Sequence, residues 1–208
     1  MRKGFYLSTI VKEDEPLTVG KTLRLFVACD IPELVKDEID RFAGFLKKHG
    51  VDVKWTRKEN LHLTLKFFGN ISSERVEEIK KSLTSLKTGI KPFSVHFSGV
   101  GAFPDIHKPS IIWIGVDKGE SALKVLAETI DAGFSRTGFE KEKRDYSAHL
   151  TLGRVKDPRY SAKLTRALKS ASFSSVEAIP IEHITLYKSV LTSEGPVYEA
   201  IERFEFVY

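Results

Sequence analysis

Residues 62–65 and residues 149–152 both read His-Leu-Thr-Leu, and this repeated tetrapeptide decides how the rest of the chain is interpreted. Each copy alternates a polar with an apolar side chain, which predicts a half-buried β-strand. The histidine and the threonine of each copy then share one face, and the two leucines share the other. A sheet that needs only a hydrophobic core has no use for an imidazole and a hydroxyl on one face. We therefore predict that the two polar faces line one cleft.

The chemistry that these side chains offer is acid–base catalysis at phosphorus. In-line displacement needs a base on the entering oxygen and an acid on the leaving oxygen, and His62 and His149 can supply both near neutral pH. Thr64 and Thr151 would donate hydrogen bonds to the non-bridging oxygens of the phosphate. The set predicts a reaction that needs neither a metal nor another cofactor. The residues alone leave open which histidine is the acid.

Two basic residues follow the motifs. Lys66 continues the alternation of His62 and Thr64, so it is predicted on the same polar face. Regular alternation would place Arg154 on the strand face opposite to that of His149. Arg154 therefore reaches the cleft only if its strand twists or bulges. There it would bind phosphate in a bidentate manner.

Other residues of similar type are interpreted as structural. His183 begins a third His-x-Thr-Leu pattern, but the strand-like sequence continues after it and does not turn into a helix. A metal site is not predicted, because Cys29 is the single cysteine and no His-Glu-x-x-His pattern or carboxylate cluster supplies a third ligand. Four aromatic residues could stack a base but are predicted to be core: Trp55, Phe103, Trp113 and Tyr146.

The composition limits which class of protein and which binding partners are expected. The chain has 208 residues and a formal net charge of +5, which favours a polyanionic partner such as RNA. No apolar run approaches the ~18 residues of a membrane span, and a single cysteine fits a reducing compartment. We expect a cytoplasmic monomer that uses no membrane. Residues 1–21 are predicted to be an N-terminal extension, and residues 22–208 one domain of two lobes.

The order of predicted elements indicates an α+β fold with an internal repeat. Each motif strand leads through a turn towards a sequence with helical spacing of apolar residues. Two related lobes that face each other across a groove would place the motifs in mirrored positions. Three further β-like runs are predicted near the C-terminus, at 173–179, 181–191 and 196–207.

Several stretches resemble a known family. They are Arg-Leu-Phe-Val-Ala at 24–28, Glu-Asn-Leu-His-Leu-Thr-Leu-Lys-Phe-Phe-Gly at 59–69, Ile-Trp-Ile-Gly at 112–115, His-Leu-Thr-Leu-Gly-Arg at 149–154 and Tyr-Glu at 198–199. In this order they resemble the LigT-type RNA 2′,3′-cyclic phosphodiesterases of the two-histidine phosphoesterase superfamily, over about residues 22–206. The resemblance implies two pseudo-symmetric antiparallel sheets with flanking helices and a central groove.

The resemblance also implies a reaction and roles. The substrate would be an RNA end that carries a 2′,3′-cyclic phosphate, for example on a tRNA fragment, and the product a 2′-phosphomonoester. His62 would be the general acid and His149 the general base, while Thr64, Thr151 and Arg154 would bind the phosphate.

Three alternatives stay open. The same groove could join RNA ends through a 2′,5′ linkage without ATP, or it could open the cyclic phosphate of a small nucleotide. The third alternative is an RNA-binding module without catalysis. It is disfavoured because a binding module does not need two titrating groups.

Overall fold

The computed structural model describes residues 21–50, 52–157 and 161–207, so the predicted extension at 1–21 lies outside the described residues except for Lys21. Within these ranges the chain forms nine strands and four α-helices. In chain order they are β1 (Thr22–Asp30), α1 (Glu33–Lys47), β2 (Val53–Trp55), β3 (His62–Ser72), α2 (Val76–Leu86), β4 (Phe93–Phe103), β5 (Ile111–Lys118), α3 (Glu120–Ser135), β6 (His149–Val155), α4 (Ser161–Ser170), β7 (Ile179–Ile181), β8 (His183–Thr192) and β9 (Gly195–Glu205).

The strands form two antiparallel sheets. The first has the order β3-β1-β8-β9, and the second has the order β2-β6-β5-β4-β7. The first histidine motif begins β3 and the second begins β6, and these two strands contact each other where the sheets meet. The predicted α+β fold with two antiparallel sheets is confirmed.

The core lies on the sheet faces opposite the motif histidines and threonines. The motif leucines are buried, as the alternation predicts: Leu63, Leu65, Leu150 and Leu152. The helices cover these faces with apolar stripes at helical spacing, shown by the buried residues Val35, Ile39, Ala43 and Leu46 of α1. The buried apolar residues form one cluster that includes members of both sheets.

Neither sheet is built from one contiguous half of the chain. β1 pairs with β3 on one side and with the distant β8 on the other, and β8 continues into β9. In the second sheet, β2 crosses over from the first half of the chain to pair with β6.

The predicted run at 173–179 is wrong as a continuous strand. Only Ile179–Ile181 forms a strand there, while Ser174 makes an isolated bridge to Ser98. The ladder is interrupted because the side-chain Oγ of Ser175 accepts the hydrogen bond from the backbone N–H of Phe97, at 3.2 Å. In the described part of the chain, no helix is both long and apolar enough to cross a bilayer.

Candidate active site

Both motif strands contain a β-bulge directly after the threonine. On β3, two neighbouring residues of β1 pair with Thr64 and with Lys66, so one residue of β3 is extra. On β6, two neighbouring residues of β5 pair with Thr151 and with Gly153. An extra residue reverses the faces of the side chains that follow it, here Lys66 and Phe67 on β3 and Gly153 and Arg154 on β6. The same bulge at the same place in each motif strand supports the predicted internal repeat.

The bulge makes the prediction for Lys66 wrong. The side chain of Lys66 turns away from the groove, is only 4% exposed, and lies under α3. Its Nζ donates to Oδ1 of Asp131 at 2.5 Å and to the backbone carbonyl of Glu140 at 3.0 Å. Lys66 therefore fastens β3 to α3 and the loop that follows this helix.

Arg154 was expected to reach the face of His149 only if its strand twisted or bulged, and β6 has such a bulge. After Leu152 and Gly153, which are both buried, the exposed Arg154 returns to the face of His149 and Thr151. Its positive charge lies close enough to contribute to the lowered pKa of His149, after burial as the main cause. The same guanidinium acts on Tyr198 of the other sheet: burial raises the pKa of that phenol and Arg154 partly opposes the rise. Arg154 therefore lies where the two sheets face each other.

His62 is held by hydrogen bonds on both ring nitrogens. Its Nδ1 lies 2.7 Å from the backbone oxygen of Asn60, and because a carbonyl only accepts, Nδ1 carries the proton. In the neutral ring Nε2 then accepts from the hydroxyl of Thr64, at 2.9 Å. Asn60 is buried, and its own side chain donates to the carbonyl of Pro196 at 2.7 Å. The start of β9 thus supports the residue that orients His62.

His149 repeats this arrangement in the other sheet. Its Nδ1 donates to the backbone carbonyl of Ser147 at 2.8 Å, again two residues before the histidine. In each motif the carbonyl therefore fixes the ring so that Nε2 is the nitrogen left for chemistry. The preceding residue, Tyr146, donates its hydroxyl to the backbone carbonyl of Thr64 at 3.2 Å. A segment of four residues, 146–149, therefore ties the two motifs together.

Burial lowers the pKa of both imidazoles. The pKa of His62 falls to about 4, chiefly through desolvation, and the hydrogen bond to Asn60 and the charge of Asp30 oppose this fall. The charge of His149 also contributes to the lowering, so the two rings interact electrostatically. Burial likewise lowers the pKa of His149. Both rings are therefore neutral at pH 7 in the unliganded protein.

Aromatic rings surround both histidines. The ring of Phe26 lies 4.9 Å from that of His62 between centroids, and Tyr198 meets the same histidine edge-on at 5.2 Å. Phe103 meets His149 edge-on at 4.9 Å. Phe103 is thus a wall of the His149 site. It is only half-buried and does not belong to the apolar cluster, so the core role predicted for it is wrong. Phe26 and Tyr198 belong to the stretches that carry the family resemblance, but only the structure shows that they contact His62.

His183 has both ring nitrogens occupied, in agreement with its structural interpretation. Its Nδ1 accepts from Arg203 at 3.0 Å, and its Nε2 donates to Oδ2 of Asp30 at 2.8 Å. The same carboxylate accepts from the hydroxyls of Thr185 and Tyr187. Burial tends to raise the pKa of Asp30, but the hydrogen bonds from His183, Tyr187 and Thr185 together outweigh it and lower this pKa. Among the described residues, no group of three or more His, Cys, Asp or Glu side chains is arranged to hold a metal ion.

Comparisons with known proteins identify the family. The model of the LigT-like phosphoesterase family matches residues 30–113 and again residues 114–198. A relative from Methanocaldococcus jannaschii, named RNA 2′,3′-cyclic phosphodiesterase, is 40% identical over 88% of this chain and 100% of its own length. A relative of the same name from Methanothermobacter thermautotrophicus is 35% identical over 88% of this chain and 98% of its own length.

A solved structure shows the same architecture. The crystal structure of a Thermus thermophilus protein superposes with a TM-score of 0.76 at 25% identity, over 88% of this chain and 98% of the other. The tandem match of the family model agrees with the bulged motif strand that occurs once in each sheet. The chain belongs to the LigT-like phosphoesterase family.

Proposed function

We propose that this protein hydrolyses the 2′,3′-cyclic phosphate at RNA ends to a 2′-phosphomonoester, with His62 as general acid and His149 as general base. One observation carries the proposal. The two imidazoles come from the two bulged strands, each has its Nδ1 fixed by the carbonyl two residues earlier, and each keeps Nε2 for proton transfer. The relatives from the two methanogens, both named RNA 2′,3′-cyclic phosphodiesterase, support the choice of substrate.

The reaction follows from these positions. Water attacks phosphorus in line with the 3′-oxygen, and Nε2 of His149 takes the proton that the water loses. As the bond from phosphorus to the 3′-oxygen breaks, Nε2–H of His62 protonates that oxygen. Thr64 and Thr151 donate to the non-bridging oxygens, on which negative charge grows in the transition state.

Protonation of His62 also changes what Thr64 can do. In the neutral ring, Nε2 of His62 accepts the hydrogen bond from the Thr64 hydroxyl. Once Nε2 carries a proton it no longer accepts, and the hydroxyl is released to donate to the phosphate. Because the pKa of His62 is about 4 in the unliganded protein, the anionic substrate must supply the charge that raises it. Substrate binding is therefore coupled to proton uptake.

RNA fragments such as those of tRNA are the proposed substrates, and the protein is proposed to act as a monomer without a metal. Cys29 is buried and unpaired, which supports a reducing compartment such as the cytoplasm.

The proposal is tested with an oligoribonucleotide that ends in a 2′,3′-cyclic phosphate, incubated with the protein and EDTA. The expected product is a terminal 2′-phosphate, identified by its resistance to enzymes that remove only 3′-phosphates. Formation of a 2′,5′ linkage between two oligonucleotides would favour ligation, and turnover of free cyclic nucleotides alone would favour a small substrate. Binding without turnover would leave an RNA-binding module, and loss of turnover with EDTA would contradict the metal-free mechanism.

The pH profiles of kcat/KM and of kcat should differ, because the first reports the free protein and the second reports the complex with substrate. The profile of kcat/KM reports the pKa values of the free protein, and since both histidine pKa values are lowered, its bell should lie on the acid side of ~6.5, the ordinary pKa of histidine. The bound anion raises both pKa values, so the bell of kcat should lie at higher pH. Steady-state kinetics from pH 4 to 9 check this. A kcat/KM bell with both limbs above the ordinary histidine pKa would contradict it.

Replacing Arg154 should weaken binding without removing catalysis. Arg154→Ala is expected to raise KM about 10- to 150-fold, because one charged contact to phosphate is lost, and such a contact contributes about 1.5–3 kcal/mol. It should also reduce the slope of log affinity against log salt by about 0.7, the contribution of one phosphate contact in single strands. The matched control is Lys124→Ala on α3, a residue that is half exposed and lies beside Glu128. If Arg154→Ala and Lys124→Ala changed KM and the salt slope equally, Arg154 would not belong to the site.

A further inference from the structure

The two motif histidines have different neighbours on the adjoining strand. In the ladder between β1 and β3, Asp30 lies directly opposite His62. In the ladder between β5 and β6, Gly115 lies directly opposite His149. Residues directly opposite each other share one face of a sheet, so the side chain of Asp30 stands beside that of His62, with about 4.5–5.5 Å between their Cβ atoms. The two halves of the groove therefore match in their histidines and differ by a carboxylate.

The position opposite His149 has no room for a side chain. A Cβ at Gly115 would lie 2.9 Å from the backbone carbonyl oxygen of Ser98 and 3.3 Å from the ring of Trp113. The charge that does act on His149 is positive, since Arg154 adds to burial in lowering its pKa. The surroundings of His149 therefore favour the neutral imidazole.

Strand β8 keeps the carboxylate of Asp30 ionised. The side chains of His183, Thr185 and Tyr187 alternate along this strand and all donate to it, the first two at 2.8 Å. Burial tends to raise the pKa of Asp30, but these hydrogen bonds outweigh it and lower this pKa. Arg203 donates to Nδ1 of His183, so that ring is neutral and does not cancel the charge of Asp30.

The groups that face His62 from other elements do not supply a negative charge. Lys36 of α1 and His149 of β6 both act to lower its pKa. Tyr198 of β9 meets the ring edge-on but is neutral, because burial raises the pKa of its phenol. Burial, the largest effect, brings the pKa of His62 to about 4 although Asp30 acts to raise it. Within the described part of the chain, Asp30 is the one anion whose charge favours the imidazolium of His62.

We propose that Asp30 is a positioning residue that makes His62 the acid of the pair, because its carboxylate stabilises the imidazolium of His62 in the complex with substrate. The inference rests on the proposed function and gives a physical cause for the unequal roles of two histidines with matching geometry. His149, beside Gly115 and Arg154, is left neutral as the base. A carboxylate near the phosphate site would repel an anion, so the charge of Asp30 serves proton transfer and not phosphate binding.

The first test needs no variant of Asp30. Wild-type protein with isotopically labelled histidines is saturated with inorganic phosphate, and the protonation of each ring is followed by NMR from pH 4 to 9. The resonances are assigned by their loss in His62→Ala and His149→Ala. We expect His62 to titrate at higher pH than His149 in this complex. Equal titrations, or the reverse order, would overturn the inference.

The second test removes the charge. Asp30→Asn keeps the size of the side chain and should lower the pKa of His62 in the phosphate complex by about one unit, the effect of losing a nearby opposite charge. The pKa of His149 should not change. On RNA that ends in a 2′,3′-cyclic phosphate, kcat should fall about 10-fold, since one unit leaves tenfold less imidazolium. Asp30→Glu keeps a carboxylate and should recover most of both losses.

The matched control is a carboxylate that accepts a hydrogen bond from a histidine outside the motifs. Asp117 accepts from His96 at 2.7 Å, and Asp117→Asn should change neither kcat nor the titration of His62. If Asp30→Asn lowers the melting temperature but leaves the pKa of His62 unchanged, Asp30 only stabilises the fold and the inference is wrong. If this variant does not fold, the order of the two titrations in the wild type decides.

The NMR titrations also keep this inference separate from the proposed reaction, because they require no turnover. If the pKa of His62 shifts in Asp30→Asn as expected but the wild type does not hydrolyse the RNA, the proposed reaction is refuted and the effect of Asp30 on His62 stands. If the wild type hydrolyses the RNA and Asp30→Asn has the kcat of wild type, the reaction stands and the role of Asp30 is refuted.

Discussion

His62→Ala and His149→Ala are each expected to lower kcat by about 10²- to 10⁴-fold, the usual contribution of one positioned acid or base. Each variant removes the Nε2 that would transfer a proton, while the opposite imidazole and both threonines stay in place. KM should change much less than kcat, because the hydroxyls and Arg154 would still bind the phosphate. The double variant should be little slower than the worse single variant, since both groups act in the same step. Single-turnover kinetics with RNA ending in a 2′,3′-cyclic phosphate measure these effects.

The chain supplies its own control in His183. This residue begins the third His-x-Thr-Leu pattern, but Asp30 and Arg203 occupy its ring nitrogens. His183→Ala should lower the melting temperature, because it removes a hydrogen bond from the partly buried carboxylate of Asp30, and it should leave kcat within a few-fold of wild type. Loss of kcat in His183→Ala as large as in His62→Ala would show that three histidines take part, and it would overturn the two-histidine mechanism.

Asp131→Ala should destabilise the fold by about 3–5 kcal/mol, the usual cost of leaving one partner of a buried ion pair alone. The Lys66 ammonium is only 4% exposed, and without Asp131 it would retain only the carbonyl of Glu140 among its hydrogen-bond partners given by the structure. The double variant Lys66→Met with Asp131→Leu should recover most of this loss, since no buried charge then remains. Urea denaturation followed by circular dichroism measures the free energies of unfolding.

An exposed pair on the same helix provides the comparison. Glu128 faces Lys124 on the outer side of α3, where both side chains are more than half exposed. Glu128→Ala should change the free energy of unfolding by less than about 1 kcal/mol. The Lys66 double variant should also keep the KM of wild type. If the double variant instead had a raised KM and unchanged stability, Lys66 would contact the substrate, and the bulge would not have turned it away from the face of His62.

The alternation of polar and apolar residues predicts much of the fold and the central pair of the site. It places the histidines and threonines on one face and the buried leucines on the other, and the structure has both arrangements. It fails at Lys66 because counting by twos assumes a regular ladder, and a bulge adds a residue that the count does not detect. The same kind of bulge explains why Arg154 lies on the face of His149 and why Phe67, which the sequence did not single out, lies on the face of His62.

Long-range contacts set a second limit on sequence reasoning. Tyr146 reaches the backbone of Thr64, and the carboxamide of Asn60 reaches Pro196, yet the partners are far apart in the chain. No local pattern marks such pairs, because they depend on which strands become neighbours. Tyr198 was part of the family resemblance, but its contact with His62 follows only from the place of β9 in the first sheet.

The pairing of β1 with the distant β8 also has a consequence for how the protein folds during synthesis. A ribosome releases β1 and β3 early, but β1 lacks its second neighbour until β8 has been synthesised. At ~5–20 residues per second, the interval between the end of β3 at Ser72 and the start of β8 at His183 lasts roughly 5–20 s. Pro196 and Tyr198, which support and enclose His62, come later still. A nascent chain therefore carries both histidine motifs before β8 and β9 exist, and the surroundings of His62 are completed only by the last two strands.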